Sequence, residues 1–74
     1  MNEKSMYKLK GLRVEYGLNQ ADIADRLGIS PATYRRKENL TYSFTADEIK
    51  KMLEIFHSNK QEVLDIFFNP EVTK

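Results

Sequence analysis

The sequence has 74 residues and a mass of 8.7 kDa; 41% of the residues are hydrophobic, 31% are charged, the net charge is +1 and there is no Cys. This length and composition predict one small globular domain, soluble and cytoplasmic, with no apolar run long enough to span a membrane and no apolar secretion signal at its start. The lack of Cys excludes disulfides and thiolate sites and a single His excludes a His-rich metal site, so we expect no enzyme, no metal or other cofactor and no small-molecule ligand.

Apolar residues recur at helical spacing, and no stretch alternates for long enough to predict a strand. The first helix is predicted from about Lys4 to Tyr16, with Gly17 after it in the left-handed conformation. Asn19 is the predicted N-cap of a second helix that runs from Gln20 to Leu27, and Gly28 ends that helix.

Three further helices are predicted from their starting residues. Pro31 begins the third helix behind the N-cap Ser30, at the one position where its missing N–H is harmless, and this helix extends to about Glu38. Thr45-Ala46-Asp47-Glu48 is a capping box that opens the fourth helix, and Asn59 is expected to open a short fifth helix in the same way.

The turn between the second and third helices is too short for an antiparallel arrangement, so the two helices must cross steeply as a helix-turn-helix at about residues 20–38. Ala24 permits their close approach, and apolar residues face the core at Ile23, Leu27, Ile29 and Tyr34. The predicted fold class is therefore all-α, a compact five-helix bundle that fills residues 1–74 as a single domain, with a frayed tail at about 69–74.

Charged and aromatic residues give further expectations. Residues 1–45 carry eight Lys and Arg against five Asp and Glu, whereas residues 46–74 carry four against six. In the run Arg35-Arg36-Lys37, the stem of Lys37 is expected to cover the core while its ammonium reaches water. Glu48 is expected on a solvated helix face. Of Phe67 and Phe68, one should enter the core and the other is a candidate for a dimer interface.

The segment LKGLRVEYGLNQADIADRLGISPATYRRKEN, from Leu9 to Asn39, resembles the lambda-repressor/Cro-like (XRE) helix-turn-helix family, and the similarity extends to about Phe68. The form YRRKEN is similar to that of phage and mobile-element regulators. This family binds double-stranded DNA as homodimers on near-palindromic operators. The resemblance therefore implies a DNA-binding transcriptional regulator of the repressor type, with Arg13 and Glu38 paired in a partly buried salt bridge.

By position, the resemblance implies that Pro31, Ala32 and Arg36 read bases. Pro31 and Ala32 offer only apolar contact, for example to a thymine methyl group, whereas Arg36 can bind guanine O6 and N7. Contacts to phosphate, or support for them, are expected from seven residues: Gln20, Ser30, Thr33, Arg35, Thr41, Tyr42 and Ser43.

The loop after the third helix departs from the family pattern. Leu40 stands where relatives have Gly, so Asn39 is expected to take the left-handed conformation instead. Neutral side chains replace the Lys or Arg that many relatives place there, and fewer phosphate contacts from cations predict a shallower salt dependence.

Two other functions remain open from the sequence. An antitoxin or a restriction-modification controller shares this fold, and a neighbouring toxin or restriction gene would identify it. A protein-interaction module that keeps the fold without binding DNA is favoured by the low net charge and by the lack of polar groups at Pro31 and Ala32.

Overall fold

A computed structural model describes residues 3–39 and 42–68, which contain five α-helices and one 3₁₀ turn but no strand. The helices are α1 (Glu3–Glu15), α2 (Gln20–Leu27), α3 (Pro31–Glu38), α4 (Ala46–Ile55) and α5 (Lys60–Phe68), and the 3₁₀ turn is His57–Asn59. The predicted all-α class and the bounds of α2 and α3 are confirmed, and α1 lies one residue earlier than expected at each end. The tail predicted to fray lies outside the described residues.

Local side-chain contacts set the ends of α1 and α2. The Asn19 side chain accepts the backbone N–H of Asp22 at 2.7 Å, and the Asp22 carboxylate accepts the N–H of Asn19 at 3.0 Å. This reciprocal pair is a full capping box, which satisfies two donors at the start of α2. Gly17 and Gly28 have φ values of 69° and 76°, so both take the left-handed conformation predicted for them.

The starts of α4 and α5 are built differently. Thr45 and Glu48 form the predicted capping box, with Thr45 N–H to Glu48 Oε1 at 2.8 Å and Glu48 N–H to Thr45 Oγ1 at 3.1 Å. The capping box predicted at Asn59 is wrong. Asn59 ends the 3₁₀ turn, and its side-chain oxygen accepts the Tyr16 hydroxyl at 2.8 Å, so this residue ties the end of α1 to the start of α5.

The core lies where all five helices meet, and its largest fully buried apolar side chains are Tyr34, Phe56, Leu9, Leu12, Ile23, Met52 and Ile66. Tyr16 packs edge-on against Phe56 with ring centroids 4.9 Å apart. Phe67 packs against this core, whereas Phe68 is 61% exposed. The expected division between the two adjacent phenylalanines is therefore present, with Phe67 inside.

Two charged residues that were expected to reach water are buried instead. Lys37 is only 8% exposed and Glu48 only 6%. The Lys37 Nζ lies 2.6 Å from one oxygen of the Glu48 carboxylate and 2.7 Å from the other. Both expectations were wrong because each charge is the partner of the other, which offsets the loss of hydration that burial brings.

Candidate nucleic-acid interface

The turn from α2 to α3 presents one side of α3 outward. Gly28 N–H bonds to Asp25 O at 3.1 Å and Ile29 N–H bonds to Ala24 O at 3.0 Å, which closes the end of α2 and redirects the chain within three residues. Ala24 and Tyr34 are fully buried. The opposite side of α3 faces solvent, as the helix-turn-helix prediction requires.

The first turn of α3 is capped by Ser30. Its Oγ accepts the N–H of Thr33 at 3.1 Å and lies 2.8 Å from Thr33 Oγ1, to which it donates. Pro31, at the first helical position, has no N–H to satisfy. The Ser30, Pro31 and Ala32 side chains are exposed and Thr33 is partly buried, so the start of the helix is accessible from outside.

Four residues at helical spacing line a shallow recess of about 350 Å³ on the outer side of α3: Ala32, Arg35, Arg36 and Asn39. Among the described residues, the side chains of Arg35 and Arg36 have no ion-pair or hydrogen-bond partner. We call this four-residue surface the outer face of α3. Two exposed guanidinium groups side by side form a positive surface that can bind phosphate and guanine.

Asn39 belongs to the outer face of α3, although no DNA contact is predicted for it from the sequence. It is exposed and has a φ of −95°, so the left-handed conformation expected for it was wrong. Its N–H bonds back to Arg35 O at 2.9 Å, which continues the helical turn beyond Glu38. The signal that could have found it is its spacing, seven residues and two turns after Ala32.

Behind the outer face, one buried carboxylate collects side chains from three helices. Glu38 is fully buried and accepts from Arg13 Nε at 3.1 Å, from Gln20 Nε2 at 3.0 Å and from the Tyr34 hydroxyl at 2.5 Å. The Arg13–Glu38 ion pair that the resemblance implied is thus present. Arg13 also donates to Leu18 O at 3.0 Å, which fixes the connection between α1 and α2.

The surroundings of the Tyr34 hydroxyl determine whether it keeps its proton. Burial, followed by the hydrogen bond to Glu38 and the charge of that carboxylate, raises the pKa of the Tyr34 hydroxyl well above its ordinary 10.0. The hydroxyl therefore keeps its proton and remains a donor to Glu38. The Gln20 side chain is partly buried and braces α3 through the same carboxylate.

The loop residues expected near phosphate are only partly described. Tyr42 is 55% exposed and Ser43 is also exposed, whereas Thr41 lies outside the described residues. Within residues 3–39 and 42–68, no group of three His, Asp or Glu side chains is placed to hold a metal ion. No helix in this part of the chain is both long and apolar enough to cross a membrane.

A helix-turn-helix family model matches residues 9–63, which covers the second half of α1, all of α2 to α4 and the start of α5. No curated protein and no solved structure matches the chain. The matched range includes the capped α2 and α3, the Glu38 cluster and the outer face of α3. The chain therefore belongs to the XRE family of helix-turn-helix proteins, which are DNA-binding regulators.

Proposed function

We propose that this regulator is a phage-type repressor that binds a palindromic operator as a homodimer in the cytoplasm. The observation that carries the proposal is the outer face of α3, where Arg35 and Arg36 are exposed above a buried cluster that joins three helices. A helix held in this way enters the major groove as a rigid unit. Occupation of the operator would then block a promoter.

Base reading is assigned to the start and middle of α3. Arg36 donates two guanidinium N–H groups to guanine O6 and N7, while Pro31 and Ala32 pack against thymine methyl groups. Asn39 extends the same face by one turn and can donate to and accept from adenine. These assignments favour a half-site that combines G·C and A·T pairs.

Phosphate contacts are assigned to groups around this face. The Ala32 N–H and the Thr33 hydroxyl lie in the first turn of α3, where the helix dipole favours an anion. Gln20 keeps a second Nε2 hydrogen beyond the one that it gives to Glu38. Ser30 supports the first turn as its cap, and Arg35 and the loop residues Thr41, Tyr42 and Ser43 complete the set.

The test is selection of bound fragments from random double-stranded DNA with the purified chain, followed by sequencing. We expect enrichment of a near-palindrome whose half-site centres lie about 34–36 Å apart, one turn of the duplex. The Arg35→Ala/Arg36→Ala double variant is the control, since it removes the positive charges without touching the Glu38 cluster. Recovery of unenriched DNA by the wild-type chain would contradict the proposal.

A second candidate function, a protein-interaction module that keeps the fold without binding DNA, is favoured by one observation. Tyr7 and Val14 lie seven residues apart on α1 and are 64% and 66% exposed. Large apolar side chains at this spacing share a helix face, which is a feature of protein contacts. The same selection separates the two functions, because a module that does not bind DNA enriches no palindrome.

A further inference from the structure

The Lys37–Glu48 ion pair joins the last turn of α3 to the first turn of α4. Its side chains are 11% and 8% exposed, and Nζ contacts both carboxylate oxygens, at 2.6 Å and 2.7 Å. The same ammonium lies 6.0 Å from the centre of the Phe44 ring. The pair is therefore enclosed between two helices and the end of the loop that connects them.

The Glu48 side chain also caps the start of α4. Its Oε1 accepts the N–H of Thr45 at 2.8 Å while also accepting Lys37, so one carboxylate caps α4 and anchors α3. A buried, charge-assisted contact of this kind depends strongly on distance and direction. If α3 rotated about its axis, the Lys37 side chain would be drawn away from Glu48 and a buried charge would be left unpaired.

We propose that the Lys37–Glu48 pair is a positioning device for DNA recognition, which sets specificity without touching DNA. Lys37 directly follows Arg36 along α3, so the pair fixes the rotation at which Arg36 points outward. It also fixes the end of the loop that carries Tyr42 and Ser43. The inference rests on the proposed function, since it assigns to these residues the angle at which the outer face of α3 meets the duplex.

Three variants separate positioning from stability. Glu48→Gln keeps a residue that can complete the capping box but removes the negative charge, and Lys37→Met removes the positive charge. Each single change leaves one buried charge unpaired, and we expect each to lower Tm by about 10 °C or more. The double variant has no buried charge at this site, and we expect its Tm to be within about 5 °C of wild type.

Binding to DNA is the deciding measurement. We expect the double variant to lose at least about tenfold in the ratio of operator to random-DNA affinity, while its affinity for random DNA changes by less than about twofold. A role confined to stability would leave this ratio unchanged. Lys50→Met is the matched control, because it makes the same substitution at an exposed position of α4, and its ratio should equal that of wild type.

Hydrogen exchange in the free protein tests the same inference without DNA. In the double variant, the amides of residues 37–39 and 42–45 should exchange at least about fivefold faster than in wild type, with the core amides unchanged. Unchanged exchange in this segment, or an unchanged affinity ratio, would overturn the inference. If the wild-type chain enriches no palindrome, the proposed function fails, and exchange alone then decides whether the pair holds this segment in place.

Discussion

The Glu38 carboxylate links α3 to α1 and α2. Its three donor residues, Arg13, Gln20 and Tyr34, come from α1, α2 and α3. A buried carboxylate with fewer partners would be left with unsatisfied acceptor sites at a cost of several kcal/mol. The four side chains therefore act as one unit, and this unit holds α3 in place against α1 and α2.

Arg36→Ala tests base reading directly. Loss of a bidentate guanine contact should weaken the free energy of binding to each operator half-site by roughly 1–3 kcal/mol. Binding to random DNA should weaken less, because it loses only the attraction between one positive charge and the phosphates. Titration of operator and random duplexes at the same salt concentration measures both effects. Arg35→Ala is the comparison, since it should weaken both duplexes alike and lower the salt slope by about one per subunit. Equal losses for Arg36→Ala on both duplexes would refute base reading.

Tyr34→Phe tests the buried hydroxyl through pH. The unfolded chain releases this proton near its ordinary pKa of 10.0, whereas the folded chain keeps it because burial raises the pKa. The contribution of this pKa difference to the free energy of unfolding is therefore fully present below the pKa of the unfolded chain. Above that pKa the free energy of unfolding decreases, by up to about 1.4 kcal/mol per pH unit. Urea unfolding from about pH 8 to about pH 11 should show a steeper alkaline loss in wild type than in Tyr34→Phe.

Tyr7→Phe is the control for this experiment, because it removes the same hydroxyl group from a residue that is 64% exposed. Its unfolding free energy should follow the wild-type pH dependence. Parallel curves for wild type and Tyr34→Phe would show instead that the Tyr34 proton is not linked to folding.

At the scale of the helices, two glycines should respond to alanine in opposite directions. Gly11 lies inside α1 with nothing within 4 Å of an added Cβ, so Gly11→Ala should stabilise the fold by about 0.5–1 kcal/mol. Gly28 has φ 76°, and Gly28→Ala should destabilise the fold by about 1 kcal/mol or more and disturb the approach of α3. Chemical denaturation measures whether each substitution raises or lowers the free energy of unfolding, and a change in the same direction for both variants would contradict this prediction.

The helix starts were predictable wherever their contacts are local. Asn19, Ser30 and Thr45 each cap a backbone N–H three residues ahead, so the relevant pattern lies within four consecutive letters. Asn59 fits the same pattern, yet its side chain bonds to Tyr16, which is 43 residues away. Local sequence cannot show that a distant hydroxyl competes for a capping residue.

The same limit explains what was missed near the candidate site. The outward start of α3 follows from the short turn at Gly28 and could be predicted. Considered separately, Lys37 and Glu48 are each predicted to be solvated, and only the folded chain shows that their side chains form an ion pair. The spacing of Asn39 from Ala32 can be recognised in the sequence. The sequence does not show that the helical turn continues as far as Asn39, because that depends on the bond from its N–H to Arg35 O.

At the scale of the whole molecule, size limits how two copies can share an operator. The chain measures 30 × 26 × 21 Å along its principal axes, and neighbouring half-site centres are about 34–36 Å apart. Two copies bound to neighbouring half-sites on one side of the duplex, as proposed, would therefore lie nearly edge to edge and touch through a limited surface. Such a contact needs exposed apolar side chains at its centre, and Phe68, 61% exposed at the end of α5, is the candidate that the sequence indicated.

Phe68→Ser tests this interface. Burial of two symmetry-related phenylalanines contributes roughly 2–3 kcal/mol, so the variant should raise the dimer Kd by at least about tenfold while Tm changes little. Sedimentation equilibrium measures the dimer, and operator titration should shift to higher protein concentration with a steeper curve. Tyr7→Ser, which removes an equally exposed aromatic ring from α1, should leave the dimer unchanged if α5 forms the contact. If Tyr7→Ser dissociated the dimer and Phe68→Ser had no effect, the dimer contact would be formed by α1 instead. A symmetric contact buries the same patch on both copies, so the two-fold axis would then pass beside α1.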